Sequence, residues 1–334
     1  MRTGFGLALD FWSTTKPLNR HLDDCAKLLA LAETYDFNSV WAGENRPPRL
    51  QPGHTPSPLL ILAALANRTT LRIGTGVTLL ALWHPLRLAY DGAMLDHLSD
   101  GRFTLGVGLG TPPVMQRFGV PSSDAGSRMD DALRFLKAMW SGADRYYGPY
   151  FQVEGRVIPG PVQPDGPPIW VGGTVGSSVR RAAELGDGWY GATQYHFEMV
   201  RRQAQRYREH VAACGRVGSP MVAINRTTFL APTDAAAQRE GRAYIEQVLS
   251  FYARIGALTD AEGRPLGPDA DLFELVGDNV YFAGSPNRCV ESLERYIGVG
   301  VNQFNFRVGM ANIPLPLVER TVRLLGEQVL PRFR

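Results

Sequence analysis

The 334-residue chain is 44% hydrophobic and 20% charged with a net charge of +3, an ordinary globular composition that suits one large domain or two modest ones. No basic stripe runs through it, which argues against nucleic acid as a partner, and no apolar run approaches a membrane span. Cys25, Cys214 and Cys289 share no metal-type spacing and read as reduced thiols, so the expectation is a soluble, cytoplasmic protein.

Residues 1–10 alternate as a strand that begins the fold rather than as a signal peptide, with the strand itself at 5–9. An amphipathic helix over 18–35 puts Leu22, Ala26, Leu29 and Ala30 on one face. Strand 39–41, helix 58–67 and strand 71–76 follow, then helix 85–98, strand 103–107 and helix 128–140. Strand 168–171 runs through glycines into a helix over 179–185 and at once into strand 188–190. Helix 197–214, strand 221–230 and a long helix over 234–255 come next. The chain closes with helix 286–297, strand 303–306 and helix 315–329.

About eight strand–helix repeats in this length predict an α/β fold, a (β/α)8 TIM barrel with insertions, read as a single domain over 1–334. Parallel strands need crossovers of this size, and near-continuous apolar strands suit burial on both faces. An open doubly wound sheet is the alternative, weakened because no Gly-x-Gly-x-x-Gly follows the first strand. Two segments fall outside the repeat. One, at about 145–168, holds Tyr146, Tyr147, Tyr150 and Phe151 and predicts a short hairpin or extended excursion. The other, at about 256–278, is rich in Gly, Pro and acidic residues and predicts a lid.

In a barrel, chemistry sits where strands run into the following loops. Those ends supply Asp10, Phe11 and Trp12; Glu44, Asn45 and Arg46; Gly76, Val77 and Thr78, then Trp83 and His84; Gly108 and Leu109; and finally Arg307. The fifth strand end is the most informative, with Gly172, Gly173, Thr174, Ser177 and Ser178 leading into a helix. Glycines let the backbone approach a ligand, the hydroxyls can cap the helix, and the free N–H groups of its first turn can hold a phosphate without a lysine. The same pattern also describes an ordinary strand–helix turn with a serine cap. Phe11, Trp12, Trp83 and Trp189 form the wall expected for a flat cofactor, although each alone reads equally as core. His84, ahead of a proline at a helix start, either caps that helix or takes part in chemistry. Glu44 at a strand end must find a partner or face a ligand. No Gly-x-Ser-x-Gly, His-Glu-x-x-His, Walker loop or metal-spaced cluster occurs, so a cofactor is expected to carry the reaction.

Five stretches in this order, 39–45, 73–87, 94–110, 172–189 and 307–314, give the chain a likeness to a known family. It resembles the bacterial luciferase-like monooxygenase superfamily of flavin- or deazaflavin-dependent barrel enzymes over nearly its whole length. The resemblance implies reduced FMN held non-covalently at the strand C-ends, with its phosphate on Gly172, Gly173, Thr174, Ser177 and Ser178. It places Gly76, Val77, Thr78 and Gly108 at the cofactor and a non-proline cis peptide at Gly76–Val77. It further implies O₂, a small organic substrate near Phe11, Trp12, Trp83 and Arg307, a separate flavin reductase, and a homodimer. Glu44, Asn45 and His84 are the catalytic candidates under this reading.

Two departures qualify it. Asn45 stands where luciferases carry the histidine of an acid–histidine pair, so light emission is not expected. Leu109 replaces an arginine near the phosphate, which shifts that load to the helix N-terminus, with Arg180 or Arg181 as helpers. Members that use coenzyme F420 tend to show Asp-His after the second strand, so Glu44 favours FMN. The alternative is an F420-dependent oxidoreductase moving hydride to or from a small organic substrate, its polyglutamate tail meeting Arg46, Arg180 or Arg181. A third reading is a flavin-binding relative without turnover.

Overall fold

Short apolar strands alternate with amphipathic helices, and in the computed structural model, which describes residues 3–10, 16–45, 55, 57–216, 218–309 and 312–334, they close on themselves. The barrel strands are β1 (Gly4–Ala8), β2 (Ser39–Ala42), β3 (Arg72–Thr75), β4 (Phe103–Gly108), β5 (Ile169–Gly172), β6 (Gly188–Gly191), β7 (Met221–Leu230) and β8 (Gln303–Arg307). Each pairs in parallel with the next, and β8 returns to β1 with Phe304 opposite Phe5. Closure rules out the open doubly wound sheet. The chain is a (β/α)8 barrel, as its periodicity predicts.

The outer layer comprises α1 (Leu18–Glu33), α2 (Pro58–Ala66), α3 (Pro85–Leu98), α4 (Ala125–Trp140), α5 (Gly176–Leu185), α6 (Phe197–Ala213), α7 (Asp234–Arg254), α8 (Pro286–Gly298) and α9 (Leu315–Leu324). Two short helices, Pro112–Arg117 and Leu272–Val276, and a three-residue strand, Phe282–Gly284, add to the elements read from sequence. That strand pairs with Thr228–Leu230, the part of β7 that runs beyond the barrel. The helix expected over 315–329 leaves α geometry at Leu325, where Gly326 lies so close to Tyr35 that a Cβ would sit 2.1 Å from the ring.

Alternation along the strands sorts side chains between two cores. Phe5, Leu7, Val40, Ile73, Val107, Val171, Ile224, Phe304 and Phe306 face the helices and are buried. The inner face carries glycines and three aromatics instead. Trp41, Trp170 and Tyr190 fill the interior beside Ala8, Ala223 and Val77, the two indoles stacked with centroids 4.7 Å apart. Glycines on the facing strands make the room. A Cβ on Gly74 would lie 2.4 Å from the Trp41 ring, and one on Gly76 2.5 Å from the Tyr190 hydroxyl. At this level Gln303 donates to Asn305 at 2.9 Å and Asn305 to the Tyr190 hydroxyl at 3.0 Å. The interior is thus a packed plug, and a ligand must sit above it.

Within 145–168, Arg145–Tyr147 and Gln152–Glu154 pair antiparallel, the hairpin the sequence suggests. Two buried carboxylates fasten this excursion. Asp131 accepts the amides of Tyr150 and Phe151 at 2.9 and 3.0 Å, and Asp96 those of Val162 and Gln163 at 2.8 and 2.9 Å. Within 256–278, Arg202 of α6 donates to the Ala261 carbonyl at 2.8 Å, and Arg242 of α7 pairs with Asp271 and Glu274.

Candidate active site at the barrel mouth

Beyond β3 the peptide bond between Gly76 and Val77 is cis, and the chain rejoins the sheet as Thr78–Leu79 against the end of β4. Glu44, at the end of β2, fastens this bulge. Its amide donates to the Val77 carbonyl at 2.9 Å, and its carboxylate accepts from the Leu79 amide at 2.7 Å and the Trp83 indole at 3.3 Å. Val77 packs onto the aromatic plug, and a Cβ on Gly108 would lie 2.8 Å from it. Thr78 behaves differently from its sequence reading. It pairs with Val107, an outward-facing residue, so its hydroxyl is buried behind the sheet and not brought to the mouth. The Asn45 amide donates to the Thr55 carbonyl at 2.9 Å. His84 is exposed, accepts the Leu86 amide at Nδ1 (3.3 Å) as the cap of α3, and meets Phe151 edge-on, so its geometry is that of a cap.

The second component follows β5. Gly172, Gly173 and Thr174 are partly exposed, and Gly173 has φ +145°, where a Cβ would also lie 2.5 Å from that of Ser178. The helix begins at Gly176 with Val175 as its cap. Thr174, Ser177 and Ser178 therefore do not cap it as the sequence suggested, and no side chain among the described residues does. Gly176 and Ser177 are exposed, so the first turn is open. Two side chains brace the strand-to-helix turn from behind: Trp189 donates to the Gly173 carbonyl at 2.9 Å and Gln203 to the Thr174 carbonyl at 2.5 Å. Burial pushes the Tyr195 phenol up to about 12. Trp189 is thus not part of the ligand-facing wall; it is fully buried among the helices, and Tyr190 takes the inner position. Arg181 is also committed elsewhere, paired with Asp130 and donating to the Gly126 carbonyl at 3.1 Å, while Arg180 stands 3.8 Å from Glu184.

On the opposite side, Arg307 ends β8 and pairs with Asp10 beyond β1 at 2.9 Å. Burial pushes the Asp10 carboxyl up, against the pull of Arg307. Burial opposes the Arg307 charge as well, but the charges of Asp10 and of nearby Tyr252 on α7 more than offset it and raise its pKa. Phe11, Trp12 and Arg46 lie outside the described residues. Trp41, Trp170, Tyr190, Tyr195 and Tyr252 were not singled out from sequence. Strand alternation was the available signal for Trp41 and Trp170, whereas Tyr190, flanked by Trp189 and a glycine, and the two tyrosines on a loop and a helix had none.

The eight barrel strands are all parallel, so the bulge, the open turn and the Arg307–Asp10 pair share one rim. Val77 offers an apolar surface, and the first turn of α5 offers free N–H groups with a partial positive charge. These residues fit a planar ligand with an anionic tail. Among the described residues no His, Cys, Asp and Glu groups are arranged for a metal, and no helix is long and apolar enough to cross a membrane.

The family model described as luciferase-like monooxygenase matches residues 1–303. The chain is 28% identical over 332 residues to the oxygenase component of flavin-dependent trigonelline monooxygenase from Acinetobacter baylyi, covering 93% of this chain and 89% of that protein. It is 27% identical over 328 residues to an F420-dependent glucose-6-phosphate dehydrogenase from Microbacterium testaceum, covering 91% of each. Among solved structures, the oxygenating constituent of 3,6-diketocamphane monooxygenase from Pseudomonas putida, in complex with FMN, superposes with a TM-score of 0.83 at 21% identity, covering 99% of each chain.

Proposed function

The chain belongs to the luciferase-like monooxygenase family, a family of enzymes, and we propose that it is the oxygenase component of a two-component, FMN-dependent monooxygenase acting on a small organic substrate. The observation that carries this reading is the uncapped first turn of α5 on the same rim as the Gly76–Val77 bulge. Gly172, Gly173, Thr174, Ser177 and the buried Ser178 would hold the phosphate, with Gly76, Val77 and Gly108 beneath the ring. Bound reduced flavin supplies the electrons that activate O₂. The protein's part is to position and shield. Glu44 keeps the bulge in shape, Asn45 and Trp83 line the adjoining rim, and the Arg307–Asp10 pair marks the substrate side without a net charge. The aromatic plug closes the barrel below, keeping bulk water from the reacting face. The trigonelline enzyme, named as an oxygenase component, supports a separate reductase as partner. The apolar row of Tyr90, Met94 and Leu98 on α3, exposed together with Leu60 of α2, supports a homodimer through these helices.

A second reading keeps the site and changes the cofactor. The F420-dependent relative favours it, as does the exposure of Gly176, Ser177 and Arg180, which leaves space for a longer anionic tail. Titration of the apoprotein with FMN and F420 under identical conditions separates the two. The FMN reading requires tighter binding of FMN, with O₂ consumption when the reduced form and a substrate panel are supplied. Preference for F420, with hydride transfer and no O₂ uptake, would overturn it.

A further inference from the structure

Beneath the aromatic plug the barrel has a second opening. Strand alternation turns Arg72 of β3, Thr104 of β4, Trp170 of β5 and Met221 of β7 inward, in step with Gly74, Gly106 and Ala223. Arg72 and Met221 are the first residues of their strands, so this is the end of the barrel opposite the Gly76–Val77 bulge. With Pro168 and Pro220 these residues line a cavity of about 350 Å³, a size that holds small organic molecules.

Charges in the lining are unevenly compensated. Asp187 accepts from Lys137 at 2.9 Å and from the Ile169 amide at 2.8 Å, with Arg216 3.9 Å away. Arg216 in turn donates to the carbonyls of Ala183 and Gly186 at 3.0 and 2.8 Å. Arg72 has less. Its Nη2 donates to the Thr104 hydroxyl at 3.3 Å, and among the described residues it pairs with no carboxylate. Desolvation by the cavity walls pulls its pKa down; Asp96 opposes that shift and Arg102 adds to it. The side chain is exposed where the cavity opens, so an anion can reach it. This end of a (β/α)8 barrel ordinarily serves stability, to which a cation held by one hydroxyl contributes little. A planar guanidinium fork at an apolar recess suits a carboxylate.

We propose that this cavity is a second ligand site, built for a small organic carboxylate: Arg72 holds the carboxylate, and Trp170, Met221 and the two prolines pack against its apolar body. The stacked Trp41 and Trp170 rings separate the cavity from the mouth, so its occupant is distinct from the substrate. The proposal does not depend on which cofactor the mouth binds.

Benzoate is the probe, with benzyl alcohol as its uncharged counterpart and inorganic phosphate as an anion without the apolar body. Isothermal titration of the intact chain should give saturable benzoate binding, about tenfold or more tighter than that of either control. Arg72→Met should weaken benzoate binding by about tenfold or more, and Arg72→Lys should fall between. Ser219→Phe, which brings a ring into the cavity from an exposed lining position, should also abolish binding with Arg72 intact. If Arg72→Met does not fold, Arg72→Lys and Ser219→Phe decide. Wild-type benzoate affinity in either Arg72→Met or Ser219→Phe would place the binding elsewhere and overturn the proposal. Absence of saturable binding, or a control ligand that binds as tightly as benzoate, would overturn it as well.

Discussion

Glu44 takes the amide of Leu79 in a 2.7 Å hydrogen bond while its own amide donates to Val77 at 2.9 Å, so one residue at the end of β2 grips both arms of the bulge beyond β3. A carboxylate that reads from sequence as a catalytic group is thus tied into the support of the mouth. Glu44→Ala would strand the part-buried Leu79 amide and Trp83 indole, costing about 1 kcal/mol in urea denaturation, and should weaken flavin binding as the bulge relaxes. Glu44→Gln keeps an oxygen for Leu79 and should stay near wild type in both respects. A Glu44→Gln protein that binds flavin normally but does not turn over would show that the charge itself serves the chemistry.

The glycines of β4 should separate packing from function. A Cβ on Gly106 would lie 1.9 Å from the backbone oxygen of Thr75, a contact that only a shift of β3 can relieve. Gly106→Ala should therefore destabilise by about 1–3 kcal/mol or more. At Gly108 the obstacle is the Val77 side chain at 2.8 Å, which can move, but it moves on the proposed cofactor face. Gly108→Ala should cost less in thermal unfolding and more in flavin affinity. Equal flavin affinity in Gly108→Ala and wild type would remove Val77 from the proposed ring contact.

The barrel was legible because its long elements carry strong periodicity; the bounds of β7 at Met221–Leu230 and of α3 at Pro85–Leu98 coincide with those read from sequence. What eluded sequence were facings and contacts set by partners. In Gly188–Gly191 only Trp189 and Tyr190 carry side chains, so nothing in the strand tells inside from outside. Pairing decides it, since Tyr190 stands opposite Gly172 and Ala223. Phe282–Gly284 is a strand because β7 overshoots the barrel and offers it an edge, a condition no local pattern carries. At the open turn, hydroxyl residues looked like caps, but the cap position falls on Val175.

The cap of α6 should make stability sensitive to mild acid. His196 accepts the Glu198 amide at Nδ1 (3.1 Å), which requires that nitrogen to be unprotonated. Burial holds its pKa below the ordinary 6.5; Glu198 and Asp260 oppose the shift, while Arg226 and Arg202 reinforce it. The unfolded chain therefore takes up the proton first. The contribution is complete above the unfolded value and is lost as pH falls through the depressed folded value. Urea midpoints should decline between about pH 7 and about pH 5, and His196→Asn, a cap that does not titrate, should flatten that decline. Parallel curves for the two proteins would show that the acid sensitivity arises elsewhere.

Tyr90, Met94 and Leu98 recur every fourth residue on α3 at 38, 47 and 41% exposure, and Leu60 of the adjoining α2 is 72% exposed. An apolar row of this kind is unusual on a monomer and suits a second copy packed across the two helices. A glutamate at its centre would be solvated in the single chain but would lose its hydration in the dimer. Met94→Glu should therefore sediment as a monomer with an unfolding curve no less cooperative than that of wild type. Leu275→Glu, equally exposed (57%) but remote from α3 in the chain, should remain dimeric and serves as the control. Wild-type protein that sediments as a monomer, or Met94→Glu that stays dimeric, would mean that these side chains do not form a self-association surface.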